Sequence, residues 1–244
     1  PALDAVTFDF DQPSTYASAL EGVRVAFLLT PVSERQLEYT QEFAKAAKAA
    51  SVERIVKLSV VGAEQEHGIA FQKLHGAGER ALAASGAGLT FVRATAFMQN
   101  FVNHYGVNPR KDSAAYLPHG NGTVSWVDVR DVGEVIAATL AGDAHVGQAY
   151  ALTGPVALGA GEVAKLLSLA LGKAITYVDV PPAAASEGMA GMGMPAWMIA
   201  GLLELHAAIK AGYLAPVAPD IAKVLGRPAG TFEDYAKRLA REVA

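Results

Sequence analysis

The sequence predicts an α/β fold: a doubly wound parallel sheet followed by a small C-terminal lobe. Three observations carry this. Strand-length apolar runs alternate with segments of helical period over residues 5–154. The runs VRVAFLLT (23–30) and RIVKLSVV (54–61) are β-branched and mostly apolar, as in strands covered on both faces. The final third, from residue 156 on, abandons the alternation. Strands separated by helices pair in parallel, because a helical crossover returns the chain to the same end of the sheet.

Each element has its own signal. AVTFDF (5–10) reads as a short strand. Ser14 or Asp11 can cap a helix over 14–21, which Gly22 stops. The strand 23–30 follows, then a helix over 33–50 with Ser33 as its cap. Next come the strand 54–61, a helix over 71–85 and the strand 89–95 after the SGAG stop. GTVSWVDV (122–129) reads as a strand, 131–141 as a helix and QAYALTG (148–154) as a strand. Beyond them, 159–172 reads as a short helix and ITYVDV (175–180) as a strand. PPAAASEGMAGMGMP breaks the pattern before a long apolar helix over 196–211. A short helix, a GRP turn and an amphipathic helix close the chain.

Composition narrows the function. The chain has 244 residues, 52% of them hydrophobic, enough for a sizeable core. A net charge of −4 gives no pull toward nucleic acid or an acidic membrane. Without cysteine there is neither a disulfide nor thiol chemistry. No apolar run is long enough for a membrane span, and PALDAVTFDF lacks a signal-like start, so a cytoplasmic location is expected. The first residue is not methionine, and the sequence reads as one whose start is absent.

In open α/β sheets the ligand cleft lies beyond the carboxyl ends of the strands. Those ends here are Asp9–Phe10, Leu29–Thr30–Pro31, Ser59–Val60–Val61 and Thr95–Ala96–Phe97. Small, apolar and hydroxyl side chains suit a flat ring system. Asp9 also reads as a plain helix cap, and Ser59 as a turn residue.

The pattern DFD, then FLLTP, then His75, Glu79, Leu82, Ser85, Gly86, Thr90, Arg93, Phe97 and Asn100 resembles the NmrA-like, atypical short-chain dehydrogenase/reductase family. GRPAGTFEDYA resembles that family's closing segment. The likeness runs from Ala5 to the end and points to the quinone reductase and triphenylmethane-dye reductase branch. It implies a Rossmann-like domain over 1–155, with its first βαβ unit missing, and a mostly helical substrate-binding lobe over 156–244. It also implies NADPH or NADH as cofactor and a small aromatic substrate, with no nucleic acid or membrane partner, and leaves a homodimer open. The departure is the family's opening glycine-rich turn, which cradles the pyrophosphate at a helix N-terminus and has no counterpart here.

Within that frame Asp9 is expected to accept from an adenine amino group while Phe10 packs beside the ring. Leu29, Thr30, Pro31, Ser59, Val60, Val61, Thr95, Ala96 and Phe97 are expected to line the cofactor. Phe97, Asn100, Phe101 and Met192 are expected to wall the substrate, with Met189 and Met194 in the same lid. His75 stands where related reductases place a lysine near the nicotinamide ribose, and it is the expected catalytic residue. On a helical wheel it borders the face of Leu74, Gly78, Ala81 and Ser85, so packing is the plainer alternative. Gly76 and Gly78 suggest that something approaches the helix closely, and Glu79 one turn on could orient the imidazole.

No Y-x-x-x-K stands in the chain, and an oxyanion product of quinone reduction can take its proton from water. Asp128 and Asp131 read as caps of the following helix paired with Arg130, and Trp126 as core. The other histidines, 67, 104, 119, 145 and 206, share no metal-ligand spacing. The chain is expected to be an NAD(P)H-dependent reductase of quinone-like or other flat aromatic electrophiles. The alternative is a non-catalytic NAD(P)-binding redox sensor that acts through a protein partner.

Overall fold

The computed structural model describes residues 4–243. The chain divides into two compact units. One holds the residues up to Arg93 with Ile136–Tyr150, and the other holds Ala94–Val135 with the residues from Ala151 on.

In the first unit β1 (Val25–Leu28) and β2 (Arg54–Val60) pair in parallel, from Val25 opposite Arg54 to Leu28 opposite Lys57. With β3 (Gly88–Ala94) and β6 (Ala149–Leu152) they form the parallel central sheet of a Rossmann-like α/β fold, in the order β1-β2-β3-β6. The expected strand at 5–10 is not formed. The Asp9 carbonyl accepts from the Gln12 amide at 3.0 Å, so the chain turns there instead of running on as a strand. Ring packing holds the segment: Phe8 stacks on Tyr16 at 4.5 Å and meets Phe10 edge-on at 5.0 Å. The apolar alternation of AVTFDF thus serves side-chain packing without a neighbouring backbone to pair with.

A 3-10 turn (Pro13–Thr15) leads into α1 (Tyr16–Leu20), which stops before Gly22 at φ +71°. The helix α2 (Gln36–Ala49) starts where Ser33 accepts the Arg35 amide at its hydroxyl (3.1 Å) and the Gln36 amide at its carbonyl (3.1 Å). The helix α3 (Ala70–Leu82) is tied back to β2 by Gln72, which accepts from the Ile69 amide and donates to the Val61 carbonyl at 2.9 Å. Leu28, Ile55, Phe43, Ala44, Ala47 and Leu82 make one buried cluster, which packs the sheet against both helices.

One glycine of α3 is explained by this packing. A Cβ on Gly76 would lie 2.1 Å from the Ala63 carbonyl oxygen, so only glycine lets the helix sit so close to the chain leaving β2. A Cβ on Gly78 would meet Lys57 and Thr40 at ordinary contact distances. The close approach is made by the protein's own backbone.

The second unit holds α4 (Asn100–Asn103), the small sheets and most of the C-terminal helices. The strand β4 (Ser113–Leu117) pairs in parallel with β8 (Ile175–Asp179). The pair β5 (Thr123–Val124) and β7 (Leu158–Gly159) is antiparallel. The expected strand 122–129 therefore shrinks to two residues and a bridge between Val127 and Phe97. Its other backbone groups go to loops: the Ser125 amide donates to the Leu214 carbonyl, and the Ser125 carbonyl accepts from the Gly154 amide. Continuous burial made this segment look like a strand.

The helix α5 (Val129–Ala141) begins at Asp128, which accepts from the Arg130 amide at 3.0 Å. The carboxylate of Asp128 pairs with Arg238 and that of Asp131 with Arg227, while Arg130 pairs with Glu242. The expected pairing of both acids with Arg130 is thus replaced by ties to the C-terminal segment. The remaining helices are α6 (Ala160–Leu171), α7 (Pro182–Gly191), α8 (Ala196–Lys210), α9 (Asp220–Leu225) and α10 (Phe232–Val243). Sequence patterning read α7 as a break, yet Pro182 opens it at a first-turn position where a missing N–H costs nothing. Trp126, Phe101, Phe232 and Tyr235 centre the core of this unit.

Candidate functional site

Alternation along a strand sends every second side chain to one face. On β1 and its continuation that row is Ala26, Leu28 and Thr30, and on β2 it is Ile55, Lys57 and Ser59, all buried. Leu28, Ile55 and the α2 and α3 residues share one cluster, so these rows lie under the two helices. Polar groups gather toward the carboxyl ends: Thr30, Lys57 and Ser59 from the strands, Gln36 from α2, and His75 and Glu79 from α3.

Glu79 does not orient His75. It accepts from the Ser59 hydroxyl at 2.6 Å and takes a two-pronged ion pair from Arg93, at 3.0 and 2.6 Å. Arg93 also reaches Glu64 at 2.9 Å. The cluster ties β2, α3, β3 and the loop after β2 together. It explains why Glu79 and Arg93 stand in one pattern with His75, and it commits the Ser59 hydroxyl, which is neither free nor in a turn.

The contact of His75 is with Gln36, whose Nε2 lies 3.4 Å from His75 Nε2. The other ring nitrogen, Nδ1, is buried without a hydrogen-bond partner, and so is the Thr30 hydroxyl. Burial first, and then the Lys57 ammonium, pull the His75 pKa down to about 3, so the ring is neutral. Lys57 is wholly buried, donates to the Leu58 carbonyl at 3.0 Å, and is pushed down to about 8 by desolvation, against the pull of Glu79. Buried polar atoms are nearly always paired, so two unpaired ones at one end of a parallel sheet mark a place where a ligand's hydrogen-bonding groups fit.

The other expected residues of this unit are placed as follows. Asp9 accepts from the Asp11 amide at 2.9 Å and the Gln12 side chain at 2.8 Å, a turn arrangement. Phe10 packs against Phe8 and Tyr39. Leu29 is 56% exposed and Pro31 is exposed, so both present surface at the end of β1. Val60 and Val61 are half-buried at the end of β2.

Thr95, Ala96, Phe97, Asn100, Phe101 and Met192 belong to the second unit. The Thr95 hydroxyl donates to the Ser125 carbonyl at 2.7 Å, and Ala96 and Phe97 are half-buried beside Val127. Asn100 is half-buried at the start of α4. Phe101 is fully buried, edge-on to Trp126 at 5.0 Å and to Phe232 at 5.7 Å, so its ring is committed to the core. Met192 is 73% exposed after α7, Met189 is buried and Met194 half-buried.

Sequence reasoning missed Gln36 and Lys57. A lysine within an apolar strand run was a legible signal for the second. Nothing in the linear pattern joins Gln36 to His75, 39 positions away. Among the described residues no group of three or more His, Asp or Glu could hold a metal, and no helix is long and apolar enough to cross a membrane.

Comparison with known proteins agrees with this architecture. The NAD(P)H azoreductase of Xenophilus azovorans is 37% identical over 232 residues, 95% of this chain and 81% of that protein. A (4-alkanoyl-5-oxo-2,5-dihydrofuran-3-yl)methyl phosphate reductase of Streptomyces griseus is 32% identical over 93% of this chain and 79% of its own length. Among solved structures, the NADPH-dependent quinone oxidoreductase of Escherichia coli with NADPH superposes with a TM-score of 0.81 at 22% identity, covering 95% of this chain and 82% of that one. The triphenylmethane reductase of Citrobacter sp. gives 0.80 at 22% identity, over 96% and 82%. These likenesses show the fold. The model of the NmrA-like family matches residues 4–225, and with the parallel sheet described above, the chain belongs to the NmrA-like family.

Proposed function

We propose that this protein is an NAD(P)H-dependent oxidoreductase that reduces flat aromatic electrophiles of the azo, quinone or triphenylmethane type. One observation carries the reading furthest: the partnerless, buried Thr30 hydroxyl and His75 Nδ1 at the carboxyl ends of parallel strands. A dinucleotide fits them, because its ribose hydroxyls and carboxamide offer both donors and acceptors. The azoreductase relationship supports the same cofactor and substrate class.

When bound, the cofactor supplies the hydride. The chain's own residues do the rest. Thr30 and His75 hydrogen-bond the ligand. Burial, and then Lys57, keep His75 neutral, so the ring adds no charge to the site. The Ser59–Glu79–Arg93 cluster fixes α3, and therefore His75, against β2 and β3. Leu29, Pro31, Val60 and Val61 give the apolar surface that a planar ring covers.

The test is titration of the full-length protein with NADPH and NADH, followed by cofactor oxidation with an azo dye, a quinone and a triphenylmethane dye. Saturable binding with turnover of at least one acceptor is expected. Binding without turnover of any acceptor would leave a redox sensor as the function. No binding of either nucleotide up to roughly millimolar concentration would remove both.

A further inference from the structure

Among the described residues, Gln36 is the side chain placed in hydrogen-bond range of His75, and the chemistry of that pair bears on which ring nitrogen carries the proton. The Gln36 side chain is buried in the first turn of α2 and presents its Nε2 to His75 Nε2 at 3.4 Å. An amide nitrogen can only donate. With the amide so turned, the facing imidazole nitrogen is the bare acceptor, and in a neutral ring the proton then sits on the other nitrogen, Nδ1. That is the atom buried without a partner. Burial and a charge from the strand side favour the neutral ring: the Lys57 ammonium, below the same helix, opposes a second proton on it. Lys57 and Glu79 are the charged groups beside this face, and Glu79 is occupied by Ser59 and Arg93.

We propose that Gln36 is a positioning residue for the reduction: it holds His75 in the Nδ1–H tautomer, so that the ring offers a neutral donor to an acceptor oxygen of the bound ligand. The donor role rests on the reading of His75 given above, whereas the tautomer does not. The ligand class follows from the sign of the hydrogen bond. A hydroxyl or carbonyl oxygen completes the site, while a ligand group that can only donate leaves Nδ1–H unpaired. Glutamine suits the task because it is uncharged: a carboxylate at the same place would draw the proton to Nε2 and favour the imidazolium.

Nitrogen-15 spectra of the histidine-labelled chain test this without any ligand, with His75→Ala identifying the His75 signals. The expected wild-type state is the neutral Nδ1–H form. Gln36→Glu should move the proton to Nε2 and raise the His75 pKa, and Gln36→Met should release the lock and mix the two tautomers. An Nε2–H ring in the wild type, or an unchanged tautomer in both variants with melting temperature preserved, would overturn the proposal. In turnover assays both variants should lose on the order of tenfold in kcat/KM, the scale of one misplaced hydrogen bond. If the tautomer moves as expected and turnover does not, Gln36 still sets the tautomer, and it is the role of His75 in reduction that fails.

Discussion

Replacing His75 by alanine separates the two roles open to it. As a ligand-facing donor, its loss should lower kcat/KM by several-fold to about a hundred-fold, since one hydrogen bond is removed. The helix should survive, because alanine is the better helix former. Unchanged turnover with a lower melting temperature would make the residue a packing histidine. Glu79 behaves oppositely. Its carboxylate neutralises Arg93 and accepts from Ser59, both within the fold. Glu79→Ala leaves the Arg93 guanidinium, whose side chain is 17% exposed, without its inner partner. A buried pair broken on one side costs about 3–5 kcal/mol, so thermal unfolding should come roughly 10 °C earlier. If the variant melts with the wild type, the ion pair contributes little and α3 is held by packing alone.

At the scale of elements, α3 owes its position to a glycine. Gly76→Ala would put a methyl 2.1 Å from the Ala63 carbonyl oxygen, and backbone cannot swing away as a side chain can. The helix or the chain after β2 must shift, at a cost of about 1–3 kcal/mol. Gly133 on α5 is the control, since nothing lies within 4 Å of an added Cβ. Gly133→Ala should stabilise by about 0.5–1 kcal/mol through helix propensity. Urea unfolding of the two variants side by side checks the pair, and equal effects of the same sign would contradict the packing account. The same comparison explains why residues 5–10 and 122–129 carry strand-like patterns without being full strands. Phe8 and Phe10 are packed by rings and most of 122–128 is buried by loops, but along most of both segments the backbone hydrogen bonds go to turns and loops instead of a ladder.

For the whole molecule, acid is the expected weakness. Three histidines are held neutral, chiefly by burial: His75 and His119 at about 3, and His206 at about 4. His119 and His206 also face each other, Nε2 to Nδ1, at 2.8 Å, a contact that survives only while one of the two nitrogens is bare. In the unfolded chain an imidazole takes its proton near pH 6.5, so from there down to about pH 3 the unfolded state binds more protons. Stability is therefore fully present above about pH 6.5 and falls with pH through that window, by up to about 1.4 kcal/mol per pH unit for each such histidine. Urea midpoints taken near pH 7 and near pH 5 should show the drop. Replacing the facing pair with His119→Phe and His206→Leu should leave only the smaller drop due to His75. A midpoint independent of pH in that range would mean that these rings are not buried neutral.

The sequence by itself determined the alternation of strands and helices, the parallel pairing of 23–30 with 54–61, and the stops at Gly22 and Gly86. These follow from period, from apolar runs and from glycine's backbone freedom, which are properties of short windows. It also carried the family's pattern, with Glu79 and Arg93 in it, but not the reason for them. Only the tertiary structure decided that Glu79 serves Arg93 and Ser59 instead of His75, that Gly76 admits the Ala63 carbonyl, that Phe101 belongs to the core, and that Gln36 meets His75. Each of these joins residues on different elements. Partner choice among buried polar groups depends on which atoms come within about 3 Å once the helices dock on the sheet, and no local pattern in the chain encodes that distance.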